Sequence, residues 1–535
     1  MYNRDRLIII LISLFLFRIP ISHIIGDNGC GYLSCPLEFF WCLSLLFGAG
    51  LTITLRGMMH DRVRRGQFSN AAQVFSFAKR YTLICSVVLL VICMLLYNLV
   101  CTKILHDPGS RIGFLFVGPA VLMAMFIDLN IGYLNGTDNM NAALMGEIIY
   151  AVSMGLCMVI GSMIGVHIGT GISALLKNDE VTAMYGAMGT MAGLCVGEIV
   201  ALIILMAMTL VYQRSFRHMM RTEAGRRTEH MSDVSGRFVM GTLSDGLQEL
   251  ILHLPVLIPI VAFRLVSARA EDFDPAVTGA SVGAFYSKYI VITGVVALLG
   301  VASVQGALKG IAAAVNDSDT QLASDRITRI FGKVTYFSIP AVIFTTMLAP
   351  VIVPTLYTGR ITSAIQLLSI GTALAFIYAV DYCFMSVLIK LGYSREMLVI
   401  SSGALIIGSV AGMLLMSRYE NGFIGPVIGM MICYAITLIV CVVILLRNFR
   451  MHFRMLQTVI IPLVVSGIIG VLIKLLSGVL YGAVGGILTL IICIIPAWFI
   501  YNLACMFLHI VSAGAMSKKF LGPMLVRLGQ NLGVY

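Results

Sequence analysis

The sequence predicts an all-α polytopic membrane protein with about 14 transmembrane helices, and three observations support this prediction. Hydrophobic residues make up 59% of the 535 residues and charged residues only 11%, whereas a soluble chain carries about 25% charged residues. Apolar runs of about 18 residues or more recur along the whole chain, and each is long enough to cross the hydrocarbon core as a helix. A helix also satisfies its own backbone hydrogen bonds, which lipid cannot do.

The apolar runs divide into fourteen predicted spans joined mostly by short loops. The first run is interrupted by Arg18 and is followed by no signal-peptidase site, so we interpret it as a transmembrane helix. The predicted spans are 7–25, 33–55, 82–102, 112–134, 142–165, 184–212, 238–263, 282–305, 334–357, 363–389, 397–416, 423–446, 457–476 and 480–510. The longer predicted loops are 56–81, 213–237, 264–281 and 306–333.

Positive charge is distributed unevenly between the two predicted faces of the membrane. With the N-terminus inside, 26 of the 36 Lys and Arg residues lie in inside segments and 7 in outside loops, and the other three lie within spans. The segments 56–81 and 213–237 each hold six of them. Cytoplasmic loops are enriched in Lys and Arg, so both termini are expected in the cytoplasm. The net charge of +11 is thereby explained without nucleic acid as a partner.

A weak internal repeat predicts two lobes of similar architecture. Leu55-Arg56-Gly57 ends the second span and Leu308-Lys309-Gly310 ends the eighth, so six helices separate the two copies. Two parallel six-helix halves are a transporter layout, with the binding site between them. We therefore expect two pseudo-symmetric six-helix lobes plus two C-terminal helices. The predicted division is 1–212 for the N-terminal lobe, 213–237 for a basic linker, 238–447 for the C-terminal lobe, and 448–535 for two extra helices and a cytoplasmic tail.

Ionisable residues inside spans are costly in lipid and are therefore candidates for function. Arg18 and Lys288 are the two cations deep in predicted spans, one in each half. A guanidinium fork and an ammonium group both suit a phosphate or pyrophosphate. The alternative is that such a residue lies near an interface or ties two helices together as a buried pair. The acidic and histidine candidates are Glu38, Asp128, Glu147, Glu198, Asp245, Glu249, His253 and Asp381.

Three of these candidates follow one another on the seventh span. Asp245, Glu249 and His253 are spaced at i, i+4 and i+8, which places them on one helix face. They could line a cavity as a relay for Na+ or H+, or pair with the two cations. No cofactor is expected, and no Cys/His cluster has the spacing of metal ligands. Nucleotide-binding and hydrolase motifs are also missing from the sequence, so we do not expect an enzyme.

Several segments follow one another in a specific order along nearly the whole chain. The first is Arg18-Ile-Pro-Ile-Ser-His-Ile-Ile-Gly-Asp-Asn-Gly-Cys-Gly-Tyr32. It is followed by Arg65-Gly-Gln-Phe-Ser-Asn-Ala71, Gly132-Tyr-Leu-Asn-Gly-Thr-Asp-Asn-Met140 and Tyr286-Ser-Lys-Tyr289. In this order the segments resemble stage V sporulation protein B-like polysaccharide transporters, a family of the multidrug/oligosaccharidyl-lipid/polysaccharide (MOP) flippase superfamily.

The resemblance implies a central cavity built largely from helices 1, 2, 7 and 8, and transport by alternating access. It also implies that basic cavity residues hold a pyrophosphate, a role that Arg18 and Lys288 would take here. Arg56 and Lys309 would lie at the gating ends of helices 2 and 8. Those ends depart from the family pattern, because Thr52 stands in place of a usual proline and Lys309-Gly310-Ile311-Ala312 in place of a Pro-Ser-like turn.

The resulting hypothesis is a flippase for a lipid-linked saccharide in a bacterial inner membrane. Its substrate-binding candidates are Arg18, Lys288, Glu38, Asp245, Glu249 and His253. A cation-coupled multidrug exporter of the same superfamily would instead use acidic cavity residues to bind cationic compounds. A non-transporting scaffold would recruit enzymes of envelope synthesis through the loops 56–81 and 213–237. Membrane lipids are expected partners in all three cases.

Overall fold

The computed structural model describes residues 17–223, 229–269, 274–302, 304–316, 319–419, 421–449, 453–508 and 510. These residues form helices and short connections, and no strand occurs among them. In chain order the α-helices are α1 Ile19–Leu43, α2 Gly50–Arg64, α3 Phe68–Leu99, α4 Arg111–Phe114, α5 Val117–Gly136, α6 Met140–Leu176, α7 Glu180–Arg221, α8 Met231–Ser267, α9 Pro275–Ala284, α10 Ile290–Val301, α11 Gln305–Asn316, α12 Thr320–Leu356, α13 Ile361–Gly371, α14 Ala373–Lys390, α15 Ser394–Met416, α16 Ile424–Asn448, α17 Ile461–Val484 and α18 Gly486–Phe507.

Thirteen helical segments of the described chain are long and apolar enough to cross a membrane. They make the chain a multi-pass membrane protein and confirm the predicted fold class. The first segment, Ile19–Arg64, runs through the predicted loop between spans one and two. Gly26 breaks the helix there with φ 66° and ψ −175°, a conformation that is essentially restricted to glycine. Residues 7–16 of the first predicted span lie outside the described residues.

The long loops predicted from hydropathy are mostly helical, which corrects the sequence prediction. Within 56–81, α2 continues to Arg64 and α3 begins at Phe68, so only a short turn around Gly66 remains. Extensions of α7 and α8 likewise fill most of 213–237. The helices α8, α9, α11 and α12 also occupy most of the described residues in the predicted loops 264–281 and 306–333. The reason is that hydropathy marks where lipid contact ends, whereas backbone hydrogen bonds continue the helix into water.

The chain divides into two compact units, the first ending at Ser287 and the second beginning at Lys288. In the first unit, α6 and α7 pack side by side through glycines. A Cβ on Gly189 would lie only 2.8 Å from Gly165 Cα, so small residues allow this close approach. Near the basic ends of α2, α3 and α7, aromatic side chains including Tyr133, Phe216 and Phe238 form a buried core.

The second unit contains the two C-terminal helices outside the predicted repeat. Both α17 and α18 pack against α12. Phe337 of α12 stacks on Trp498 of α18 with ring centroids 5.8 Å apart, and Tyr501 donates a hydrogen bond to the Tyr336 carbonyl over 3.1 Å. The predicted lobes were divided at the linker 213–237, a different place from the boundary between the units. The lobes and their pseudo-symmetry stay predictions, and the tail 511–535 lies outside the described residues.

Candidate functional site

Arg18 lies immediately before α1 and places its guanidinium group between two aromatic rings. Its guanidinium carbon is 4.4 Å from the Tyr286 ring centroid and 5.2 Å from that of Phe17. The Arg18 side chain retains 20% exposure. A cation stacked on an aromatic face in this way is stabilised while its N–H groups point outward in the plane of the guanidinium.

Glu38 lies on α1 beyond the Gly26 break and is fully buried. Its two carboxylate oxygens face different partners. Oε2 lies 2.7 Å from His253 Nε2 on α8, and Oε1 lies 3.8 Å from Arg18 Nη2. The structure therefore brings together Arg18, Glu38 and His253, which the sequence places far apart.

Three polar atoms in this cluster are buried without a hydrogen-bond partner among the described residues. They are Arg18 Nη1, Glu38 Oε1 and the Tyr286 hydroxyl oxygen. The Arg18–Glu38 distance of 3.8 Å is too long for a hydrogen bond. Because a buried donor without a partner costs about 1–3 kcal/mol, these atoms mark a place where a polar ligand would be stabilised.

Asp245 and Glu249, the two acidic candidates on α8, lie nearer the predicted cytoplasmic face than His253 does. Thr54 of α2 donates a hydrogen bond to Asp245 Oδ2 over 2.9 Å. Asp245 precedes His253 by eight residues, which corresponds to roughly 12 Å along a helix. Glu249 lies between them and is partly buried. Asp245, Glu249 and His253 lie on one face of α8 as predicted. Asp245, however, is hydrogen-bonded to Thr54 of α2 and is separate from the Arg18 cluster.

A close approach of helices positions α8 for these contacts. A Cβ on Gly246 would lie 2.7 Å from the carbonyl carbon of Leu46, and one on Gly50 would lie 2.7 Å from Gly246 N. Only glycine fits at such a distance between backbones. The segment from Leu46 to Thr54 therefore lies directly against α8.

The remaining predicted site residues are Lys288, Arg56 and Lys309. Lys288 is 1% exposed and lies in the turn of π-helix Phe285–Tyr289, as the first residue of the second unit. Arg56 is partly exposed on α2. Lys309 lies on α11, and its side chain is outside what the structure describes. The pairing of Arg18 with Lys288, and the gating role of Arg56 and Lys309, stay predictions.

Other buried carboxylates tie helices of the first unit together. Tyr150 donates a hydrogen bond to Glu198 Oε1 over 3.1 Å, joining α6 to α7. Thr52 Oγ1 donates to Asp128 Oδ1 over 3.4 Å and to the Asp128 backbone carbonyl over 3.0 Å, joining α2 to α5. These contacts match the structural alternative that the sequence analysis kept open. Within the described residues, no group of three or more His, Cys, Asp or Glu side chains is arranged to hold a metal ion.

A buried ion pair that the sequence analysis missed lies on the predicted outer face. Arg264 Nη1 on α8 is 2.5 Å from Asp107 Oδ2, and its Nη2 donates to the Gly31 carbonyl over 2.7 Å. Both side chains are about 95% buried. Ser110 also donates a hydrogen bond to Asp107. The sequence offers one signal for this pair, because Arg264 directly follows an apolar run. The hydropathy pattern nevertheless assigns Arg264 to a loop.

Comparison with solved structures identifies the fold. The lipid II flippase MurJ in an inward closed conformation matches with a TM-score of 0.63 and 11% identity, over 95% of this chain and 98% of that chain. A multidrug resistance MATE family transporter of the MOP superfamily, in an inward-facing conformation, matches with a TM-score of 0.57 and 12% identity, over 82% of this chain and 98% of that chain. The chain has the fold of MOP superfamily transporters.

A third match is to another transporter of the MOP superfamily. A MOP superfamily transporter from Pyrococcus furiosus matches with a TM-score of 0.54 and 14% identity, over 83% of this chain and 96% of that chain. Reverse polarity of its binding pocket suggests a different function for that protein. No protein-family model and no curated protein matches the sequence. The MOP fold is therefore confirmed, and the resemblance to stage V sporulation protein B-like transporters stays a prediction.

Proposed function

We propose that the protein translocates a lipid-linked saccharide of the undecaprenyl-pyrophosphate type across a bacterial inner membrane by alternating access. The MOP fold, which MurJ shares, supports a transport function. The single observation that carries the substrate class is the buried Arg18 Nη1 at the start of α1, a guanidinium donor without a hydrogen-bond partner among the residues that the structure describes. A guanidinium group binds phosphate oxygens through paired, charge-assisted hydrogen bonds, and the lipid tail would remain in the bilayer.

The geometry around Glu38 supports reversible binding of an anion at Arg18. Glu38 hydrogen-bonds His253 but only approaches Arg18. When a phosphate oxygen takes the Arg18 donors, the Glu38 carboxylate keeps its His253 partner and is not left as a lone buried charge. When the phosphate leaves, Arg18 is again stabilised by its electrostatic interaction with Glu38. Neither state then contains an unpaired buried charge, which would be strongly destabilising.

The same cluster offers a place for coupling to H+. Protonation of His253 would change the net charge of Arg18, Glu38 and His253 from zero to +1, and so favour an anionic head group. Na+ remains the alternative coupling ion. Lys288, buried at the start of the second unit, is proposed as the second cation for the pyrophosphate on the basis of the sequence. No covalent step is needed for this function.

The MATE neighbours keep a multidrug exporter as the second candidate. Its cationic substrate would need a free carboxylate. Glu38 already faces His253 and Arg18, and Asp245 accepts a hydrogen bond from Thr54. These contacts favour the anionic substrate. The scaffold alternative would act through the basic extensions of α2, α3 and α7 instead of through this cluster.

A flipping assay in proteoliposomes tests the proposal. The purified protein is reconstituted with a fluorescent undecaprenyl-pyrophosphate-linked saccharide, and a membrane-impermeant quencher reports the fraction in the outer leaflet. We expect the wild type to flip the lipid and Arg18→Gln to slow the rate by roughly ten-fold or more, because charge-assisted hydrogen bonds are lost. Arg111→Gln is the matched control, since Arg111 is exposed and also lies over an aromatic ring, 5.8 Å from that of Tyr97.

Three outcomes would contradict the proposal. Flipping at the wild-type rate by Arg18→Gln would remove Arg18 from the site. Transport of a cationic dye without flipping of the saccharide lipid would favour the exporter. Activity in neither assay, with loss of cellular function only on changing the basic helix extensions, would favour the scaffold.

A further inference from the structure

Five exposed basic residues cluster where α3 and α7 approach the predicted cytoplasmic face. We define this cluster as the inner basic patch. It consists of Lys79 and Arg80 on α3 and of Arg214, Arg217 and Arg221 on α7. The proposed transport site does not use these residues, so their arrangement needs a separate explanation.

A continuous aromatic core holds the two helices together beneath the patch. Lys79 Nζ lies 4.4 Å from the Phe75 ring centroid, and the Phe75 ring lies 4.3 Å from that of Tyr133. Tyr133 contacts Phe216 with centroids 6.1 Å apart, and Arg217 follows Phe216 on α7. Lys79 has an unfavourable charge–charge interaction with Arg217, which is second to the desolvation of Lys79. The packed core therefore holds together the two helices that carry these like charges.

The cations of the patch have no carboxylate partner in the portion of the chain that the structure describes. The nearby Glu223 is engaged elsewhere, because it accepts hydrogen bonds from the Ser69 amide and hydroxyl over 2.8 and 2.6 Å. Ser69 lies at the start of α3, ten residues before Lys79, or roughly 15 Å along the helix. An external anion would therefore relieve the repulsion between Lys79 and Arg217.

Exposed apolar side chains continue directly from the patch along both helices. Leu83 and Ile84 on α3 are 54% and 63% exposed, and Leu210 and Val211 on α7 are 55% and 63% exposed. In a membrane protein such side chains contact acyl chains. A ligand at the patch would have its charge beside Lys79 and Arg217 and its apolar part against these residues.

We propose that the inner basic patch binds an anionic phospholipid, with its phosphate between Lys79 and Arg217 and its acyl chains along α3 and α7. Clusters of Lys and Arg beside membrane helices attract anionic lipid head groups. The exposed apolar surface next to the cations favours a lipid over a soluble phosphate compound. This lipid is a bound neighbour of the first unit and is distinct from the transported substrate at Arg18.

Native mass spectrometry of the purified full-length chain tests this proposal. The protein in detergent is titrated with phosphatidylglycerol or with phosphatidylcholine, and the bound fraction is counted. We expect preferential binding of phosphatidylglycerol, weakened by roughly ten- to thirty-fold in Lys79→Gln/Arg217→Gln because two interfacial charges are lost. Lys390→Gln/Arg447→Gln removes two exposed cations elsewhere on the predicted cytoplasmic face and should bind as the wild type does. Arg18→Gln should also retain this lipid.

Several results would overturn the proposal. Equal binding of both lipids would show that charge does not select the ligand. Unchanged phosphatidylglycerol binding in the Lys79/Arg217 variant, or equal loss in the Lys390/Arg447 variant, would remove the patch as the site. Displacement of the lipid by glycerol phosphate at equal concentration would show that the patch recognises phosphate without acyl chains. Loss of phosphatidylglycerol binding in Arg18→Gln, with binding retained in Lys79→Gln/Arg217→Gln, would place the lipid at the transport site.

Discussion

The Glu38 carboxylate on α1 and the His253 ring on α8 are joined by a contact of 2.7 Å between Oε2 and Nε2. The other oxygen of Glu38 faces Arg18 at 3.8 Å without a hydrogen bond. His253 therefore satisfies one oxygen of the buried carboxylate and leaves the Arg18 donors available. In this arrangement the acidic residue positions the cation and does not neutralise it by direct contact.

This relationship predicts that two substitutions at position 253 differ in their effect on binding. In His253→Leu, Glu38 loses its hydrogen-bond donor and the Arg18–Glu38 pair should close. Binding of the pyrophosphate-linked saccharide should then weaken by roughly ten-fold, the value of one charge-assisted hydrogen bond. His253→Gln keeps a donor and should bind within about two-fold of the wild type. Equal weakening in both variants, measured as Kd, would show that the imidazole itself is required.

A double-mutant cycle should show that Arg18 and Glu38 are coupled. Glu38→Leu leaves Arg18 without its counter-charge, and Arg18→Met leaves Glu38 with His253 as its remaining partner. Each should destabilise the protein by about 1–3 kcal/mol, less than for a fully buried pair because Arg18 is 20% exposed. The double variant should be more stable than the sum of the single effects predicts. Thermal unfolding in detergent measures all four proteins, and additive effects would refute the coupling.

The ion pair between Arg264 and Asp107 is expected to be the most sensitive contact on the predicted outer face. Asp107→Asn leaves a buried guanidinium group without its counter-charge, and should destabilise the protein by about 3–5 kcal/mol. Arg111→Gln, four residues along the chain and exposed, should change stability by no more than about 0.5 kcal/mol. Equal melting temperatures for Asp107→Asn and the wild type would argue against this role.

Glycine at position 246 should be required for the packing of α8 against the segment that joins α1 and α2. In Gly246→Ala the new Cβ would lie 2.7 Å from the carbonyl carbon of Leu46, so one of the helices has to move. We expect a lower melting temperature and slower flipping. Gly57→Ala on α2 is the control, because no atom lies within 4 Å of its added Cβ. That control should be neutral or stabilising by about 1 kcal/mol through helix propensity.

The fold class could be predicted from the sequence for a physical reason, and the same reason makes Arg18 a candidate site residue. Long apolar runs have few alternatives to membrane helices, and a cation within such a run requires compensation. The helix ends could not be predicted, because α2 and α3 continue through basic residues that hydropathy assigns to a loop. The arrangement of Arg18, Glu38 and His253 also could not be predicted from the sequence, because these residues come together only through the packing of α1 against α8.

The burial of Arg264 also could not be predicted from the sequence. This residue lies one residue beyond an apolar run, and its sequence position is that of an ordinary interfacial arginine. Its burial depends on Asp107 and on the Gly31 carbonyl, which come from other parts of the first unit. Lys288 was predicted from the same reasoning as Arg18. Its burial is seen, but its partnership with Arg18 stays a prediction.

The central claim is that Arg18 holds the anionic head group, and equilibrium binding tests it most directly. The measurement is the Kd of undecaprenyl-pyrophosphate-linked saccharide for purified wild type, Arg18→Gln and the control Arg111→Gln, with thermal unfolding recorded for each. Our account predicts a Kd raised by roughly ten-fold or more in Arg18→Gln and unchanged in the control. An unchanged Kd in a well-folded Arg18→Gln protein, or no binding by the wild type, would contradict it.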